Sequence, residues 1–253
     1  MAKHLLLLII VAFSLNAQSQ LNNRPVTNYT PREYGQSYPS YTMSIIQDER
    51  GIIYVGTAYG ILQFDGALWR FIPVKIGSFV TSLNYFNGKV YVGCQGDFGF
   101  LKADQYGKYQ FQSLNHKIPK YHTDFTTIWK TLVYDSTVVF QSEEDIFLFK
   151  NDTIECISPE TSFHLAFVSN NTLYVREREF GLKYLSGQEL KLVEGGDAFK
   201  LFGVFQVVPF GNNKNLILTR EAGLWILENN RLTKANTPKA TADILSKAEV
   251  QDA

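Results

Sequence analysis

The residues best suited to chemistry recur at a fixed offset along the chain. Asp97, Glu143, Glu179 and Glu221 each stand two positions before a register residue: Gly99, Asp145, Gly181 and Gly223. Arg178 and Arg220 precede two of those acids by one position. Tyr59 and Phe98 stand immediately before Gly60 and Gly99. Carboxylates and guanidinium groups gathered on one rim can take hydroxyls, and aromatic rings offer their faces to the C–H groups of a sugar. Such a rim would suit an oligosaccharide or another small polar, polyhydroxylated ligand. The alternative is a ring of solvated loops whose Glu–Arg pairs contribute little.

Other chemistry finds less support. His116, His122 and Asp124 share one connection, HKIPKYHTD, but their spacing matches no familiar metal-ligand pattern. No metal and no cofactor is expected. Glu143 and Glu144 are adjacent, so they need not face one another. No serine lies in a G-x-S-x-G elbow, and no nucleophile–base–acid set can be assembled from the sequence. No catalytic residue is assigned, although propellers also carry polysaccharide lyases and glycosidases. Cys94 and Cys156 fall at different strand positions of different repeats and read as unpaired thiols. Trp69, Trp129 and Trp225 are expected between repeats, in the core.

The elements that must position the rim are short strands. From Ser44 to Phe71 three apolar runs and one aromatic run are cut by turn residues at Asp48–Gly51, Tyr59-Gly60 and Asp65-Gly66. Four strands joined by three tight turns make one antiparallel sheet, or blade. Four further copies follow. The register residues Gly60, Gly99, Asp145, Gly181 and Gly223 are separated by 39, 46, 36 and 42 residues. That is the period of four-stranded propeller blades. After each comes an alternating apolar run ending in a turn signal, as in ILQFDG, IFLFKND and LWILENN. A blade cannot bury both faces alone, so the blades must stack about an axis. The expectation is an all-β propeller of about five four-stranded antiparallel blades over residues 42–79, 80–124, 125–162, 163–201 and 202–239. In such a blade the connection between second and third strands emerges near the axis, which places the predicted rim there.

Composition sets the remaining bounds. The 253 residues hold 45% hydrophobic and 14% aromatic residues, which suits a packed sheet protein. Lysine plus arginine balances aspartate plus glutamate at 24 each. A neutral chain has no global field to steer it onto nucleic acid. Lys3 and His4, the apolar run Leu5–Phe13 and the small polar stretch after it read as a signal peptide over residues 1–19, which implies export. That run is too short to span a membrane. Residues 20–41 carry Pro25, Pro31 and Pro39, which argue for an extended segment and against helix. Residues 240–253 depart from the repeat. With five blades read and this tail in place of a sixth, the chain is expected to be part of a longer protein.

The stretch IIQDERGIIYVGTAYGILQFDGALWRFI also resembles the two-component regulator propeller repeat of Bacteroidetes-type sensor proteins. The matching residues are Gln47-Asp48, Gly51, Tyr54-Val55-Gly56, Gly60-Ile61 and Phe64-Asp65-Gly66, with Ile61 in place of the usual Leu. VYVGCQGDFGFL looks like the next family repeat, and the later repeats keep the period but little of the motif. The resemblance implies an exported, periplasmic sensing module. In that family the propeller is followed by a triple-tyrosine sandwich domain, a membrane span and a kinase or helix-turn-helix output, none of which can be read here. Sensing of a ligand or partner, without catalysis by this part, is therefore the first reading. A secreted carbohydrate-acting enzyme and a pure interaction scaffold are the others.

Overall fold

The computed structural model describes residues 26–35, 41–74, 78–211 and 213–238. The expected signal peptide and the tail 240–253 lie outside the described residues. The chain divides into two units, residues 1–36 and 37–253. In the first, Pro31–Tyr34 form a single helical turn within the stretch expected to be extended. Pro31 occupies the first helical position, where its missing N–H is no loss, and Thr30 and Glu33 form a capping box.

The second unit holds twenty strands in five consecutive four-stranded antiparallel sheets. Blade one contains β1 (Thr42–Gln47), β2 (Ile53–Thr57), β3 (Gly60–Phe64) and β4 (Trp69–Pro73). Blade two contains β5 (Val80–Phe86), β6 (Lys89–Cys94), β7 (Asp97–Ala103) and β8 (Tyr109–Ser113). Blade three contains β9 (Lys130–Tyr134), β10 (Thr137–Gln141), β11 (Ile146–Lys150) and β12 (Thr153–Ile157). Blade four contains β13 (Phe163–Ser169), β14 (Thr172–Glu177), β15 (Gly181–Ser186) and β16 (Glu189–Leu192). Blade five contains β17 (Val204–Pro209), β18 (Lys214–Thr219), β19 (Leu224–Glu228) and β20 (Arg231–Lys234). The all-β propeller architecture read from the repeats is the observed one.

The turns follow from composition. Asn87-Gly88, Asp135-Ser136, Asn151-Asp152, Asn170-Asn171 and Asn229-Asn230 all have positive φ at both residues. Each pair closes a two-residue hairpin between strands in register. Two successive positive-φ residues make the turn whose twist matches paired strands, and Asn, Asp and Gly tolerate it best.

Stacking supplies the core. Tyr54, Ile61 and Ile72 of blade one meet Leu83, Val90 and Val92 of blade two. Phe98 meets Phe140 and Phe147 between blades two and three, and Val139 and Ile146 meet Leu173 and Val175 between blades three and four. Leu165, Phe167 and Leu182 meet Val204, Ile217 and Leu227 between blades four and five. The first strands of successive blades are neighbours, so they form the inner wall. Polar side chains stitch that wall. Leu83 N donates to Ser44 Oγ at 3.1 Å, Asn84 Nδ2 to Thr131 O at 2.9 Å, and Ala166 N to Gln141 Oε1 at 3.3 Å. These bonds satisfy backbone that an inner edge strand would otherwise leave open.

Five sheets make four such interfaces, and among the described residues no core cluster joins the fifth sheet to the first. On the face of blade five turned away from blade four, Val208, Leu216, Leu218, Leu224 and Ile226 are all partly or largely exposed. No helix among the described residues is long and apolar enough to cross a membrane.

Candidate ligand-binding rim

The inner rim is shaped by an irregularity repeated in four blades. The first strand shifts register near its start between Thr42 and Ser44, Val80 and Ser82, Phe163 and Ala166, and Val204 and Gln206. A bulge of this kind bends the strand and re-aims a side chain. The residues inside the shifts include Thr81, His164 and Phe205. Antiparallel pairing sets the start of each first strand beside the end of the second, as in Thr42 opposite Thr57 and Val204 opposite Thr219. The bulges and the second-to-third-strand connections therefore share one end of the molecule.

The structure divides the predicted rim residues. Tyr59 is 53% exposed. Arg178 Nη2 and Glu143 Oε1 approach to 3.5 Å across blades three and four, with both side chains nearly half exposed. The Arg220 guanidinium lies 4.7 Å over the ring of Phe205. Glu179 and Glu221 are exposed, and Glu179 holds a φ of 66°. Strained backbone of that sort persists where the surroundings over-determine it.

Asp97 and Phe98 leave the rim. Phe98 is fully buried, with ring centroids 4.5 Å from Phe140, 4.8 Å from Phe147 and 5.7 Å from Phe125. Asp97 is buried too; its carboxylate accepts Phe98 N at 2.7 Å and Ser113 Oγ at 2.6 Å. The reason is local. Blade two closes this connection with Gln95-Gly96, Gly96 having a φ of 68°, so β7 begins at Asp97 itself. Both residues then belong to a strand packed between blades.

Trp129 also departs from expectation. It is 39% exposed, immediately before β9, while Trp225 packs edge-on to Phe199 in the core and Trp69 stacks on Phe64. Phe79, 41% exposed and immediately before β5, is its counterpart in blade two. The rim thus carries exposed aromatics, Tyr59, Phe79 and Trp129 among them, on blades one to three and arginines on blades four and five.

His164 had no sequence signal, because a bulge cannot be read from alternation. Its ring stands edge-on to Phe205 at 5.2 Å, and its Nδ1 is buried without a hydrogen-bond partner among the described residues. Burial, helped by the fields of Arg176 and Arg178 and then Arg220, pulls its pKa down to about 4. Arg176 is buried, and donates from Nε to Phe199 O at 3.1 Å and from Nη2 to Lys200 O at 2.6 Å. Its pKa is lowered by burial and by Arg178. A β-carbon on Gly203 would press into the Phe205 ring at 2.6 Å and meet His164 at 3.3 Å, so glycine keeps these rings together.

A second cluster joins residues distant in sequence. His122 Nδ1 and Asp145 Oδ1 are 2.9 Å apart, and Ser158 Oγ donates to the same carboxylate oxygen at 2.6 Å. Ser158 lies 3.5 Å from His122 Nδ1, on the nitrogen that already faces the aspartate. In a hydrolytic triad serine and aspartate use opposite ring nitrogens. The cluster therefore anchors Asp145, the register residue of blade three, to the preceding connection. Among the described residues no group of three or more His, Cys, Asp or Glu could hold a metal ion. Cys94 and Cys156 are both free, and burial pushes their thiols up to about 12 and about 11.

No family model and no curated protein matches the chain. Solved structures do. The WD40 β-propeller domain of Doa1 is matched with a TM-score of 0.57 at 9% identity, over 77% of this chain and 68% of that one. The computationally designed Ika8 protein is matched at 0.56 and 14% identity, over 75% of this chain and 59% of that one. PorZ, an essential surface component of the type-IX secretion system of Porphyromonas gingivalis, is matched at 0.53 and 14% identity. There the match covers 79% of this chain and 26% of PorZ. At such identities the likeness concerns the fold. A propeller with convergent loops is an architecture for ligand or partner binding.

Proposed function

We propose that this chain is the exported sensing propeller of a two-component-type signalling regulator, which binds a ligand or partner and has no catalysis of its own. The observation that carries the binding reading is the contact of Arg178 with Glu143 across two blades, with Arg220 of the next blade stacked on Phe205. Side chains of three blades converge on one rim, and the exposed Tyr59, Phe79 and Trp129 extend it with stacking surface. Aromatic faces with convergent polar groups suit an oligosaccharide. The signalling part of the reading rests on the resemblance carried by Gln47-Asp48, Gly51 and Phe64-Asp65-Gly66. The structure gives these residues work within one blade. Asp48 accepts the backbone N–H groups of Arg50 and Ile52 at 2.9 and 3.0 Å, and Gln47 Nε2 donates to Gly51 O at 3.1 Å.

The test is a binding scan of the purified chain against oligosaccharides by calorimetry, with Trp129→Ala and Arg178→Ala as rim variants. Saturable binding that either variant weakens at least tenfold supports the reading. Binding that neither variant moves would place the ligand elsewhere. Turnover of a polysaccharide by the purified chain would replace sensing with catalysis. Fractionation of expressing cells tests export directly.

A further inference from the structure

The rim is chemically uneven. Its aromatic arc lies on blades one to three, and its cationic end lies where blades four and five meet. Arg178 and Arg220 each stand three residues before the register glycine of their own blade, Gly181 and Gly223, so successive blades present equivalent guanidinium groups. At the same end of these blades stand the two bulge residues, His164 from β13 and Phe205 from β17, rings in edge contact. Four observations set the character of this corner. Arg220 lies over the Phe205 ring. Among the described residues Arg176 is buried and bonded only to backbone carbonyls, so none of their carboxylates balances its charge. The fields that act on the imidazole come from Arg176, Arg178 and Arg220, all of one sign. Finally, Nδ1 of His164 is a buried polar atom without a hydrogen-bond partner among the described residues. Native interiors leave few such atoms, and a bound group commonly accounts for them.

Glu143 and Glu177 do not cancel the charge of Arg176 and Arg178. Glu143 reaches Arg178 only at 3.5 Å with both side chains nearly half in solvent, a contact of little strength. Glu177, next to Arg176 in sequence, is turned to Lys183 on the far side of the strand. Glu179 and Glu221 are exposed on the connections themselves.

We infer that the corner between blades four and five is an oxyanion subsite, in which Arg178 and Arg220 hold a carboxylate or sulfate group of the ligand beside the His164 ring. The inference rests on the sensing reading above and narrows its ligand class to acidic saccharides. A planar guanidinium matches a carboxylate or sulfate in two-bonded geometry, and a stacked one is already oriented for it. An anion placed there also offsets the like charge that Arg176, Arg178 and Arg220 concentrate.

Histidine NMR of the full chain tests this, with the His164 signal assigned by its loss in His164→Gln. The probes are inorganic sulfate, glucuronate and glucose. Sulfate and glucuronate are expected to shift the His164 signal saturably and to raise its pKa, since the bound anion offsets the arginine fields. Arg178→Ala and Arg220→Ala should each weaken both probes at least tenfold, while Arg70→Ala, on the outer strand of blade one, should not. Both rim arginines are exposed, and near-ultraviolet circular dichroism checks that the variants fold. If glucose binds as well as glucuronate, the anion subsite is wrong and saccharide sensing stands. If sulfate binds but neither sugar does, the subsite stands and saccharide sensing falls. No saturable shift with any probe overturns the subsite.

Discussion

Lys183 Nζ lies 2.7 Å from Glu177 Oε2 inside blade four, where the carboxylate side chain is 1% exposed and the lysine 10%. Glu177 also accepts the backbone N–H of Glu160 at 2.6 Å and of Thr161 at 3.1 Å, so one carboxylate organises the connection that leads into the blade. The ammonium in turn sits 4.4 Å over the Phe180 ring. Removing one partner strands a buried charge. Glu177→Ala should therefore cost about 3–5 kcal/mol, while the double change Glu177→Met with Lys183→Met should recover most of that loss. Urea unfolding of the three proteins checks it; equal loss in the single and double variants would mean the backbone contacts dominate.

The register glycines are interchangeable in sequence but differ in structure. A β-carbon on Gly99 would collide with the carbonyl oxygen of Gln112, and one on Gly60 with that of Ile72, because β4 and β8 cross close to these positions. Gly223 meets nothing within 4 Å, and its φ of 80° is what demands glycine. Gly99→Ala should cost about 1–3 kcal/mol through overpacking. Gly223→Ala should cost about 1 kcal/mol through backbone strain. Gly223→Asn should restore part of the second loss, since asparagine tolerates positive φ. Thermal denaturation of the three variants decides.

The division between what the sequence shows and what it hides runs along the same lines. Blade period, hairpin turns and the alternation behind the four core clusters are all local patterns, so they could be read. Asp97 and Phe98 lie in the core because β7 starts two residues before its register glycine, which turns a loop residue into a core residue. The exposure of Trp129 depends on how neighbouring blades abut, which no local pattern carries. His164 and Phe205 sit in bulges, which break alternation without announcing themselves. The His122–Asp145–Ser158 contacts join residues 23 and 13 apart, across a connection with no periodicity.

His164 should make the fold sensitive to mild acid. Burial first, and the arginine fields second, hold its folded pKa at about 4, whereas an unfolded histidine titrates near about 6.5. Between those values the unfolded chain binds the extra proton, so stability is complete above pH ~6.5 and falls as the pH drops toward about 4. His164→Gln should flatten this part of the profile, losing about 1–3 kcal/mol less than the parent between pH 7 and pH 4.5. Carboxylates titrate in the same range, so the difference between the two profiles is the quantity to read. Parallel profiles would show that the ring is solvated.

Leu182 on β15 and Leu218 on β18 lie on successive blades, each on the face turned away from the preceding blade. Leu182 is fully buried because blade five covers it, alongside Phe199 and Val204. Leu218, paired with Leu224 on blade five, is only partly covered, and Val208 on the same face is 40% exposed. The same side chain thus contributes differently according to whether a neighbour follows. Leu182→Ala should cost about 2–5 kcal/mol, the usual loss for emptying a packed site. Leu218→Ala should cost well under half of that, because less apolar area returns to water. Leu218→Lys should be tolerated where Leu182→Lys is not, and it should lower binding of an apolar dye to the folded protein. Equal destabilisation at the two positions would show that the forward face of blade five is as fully packed as the interfaces inside the stack.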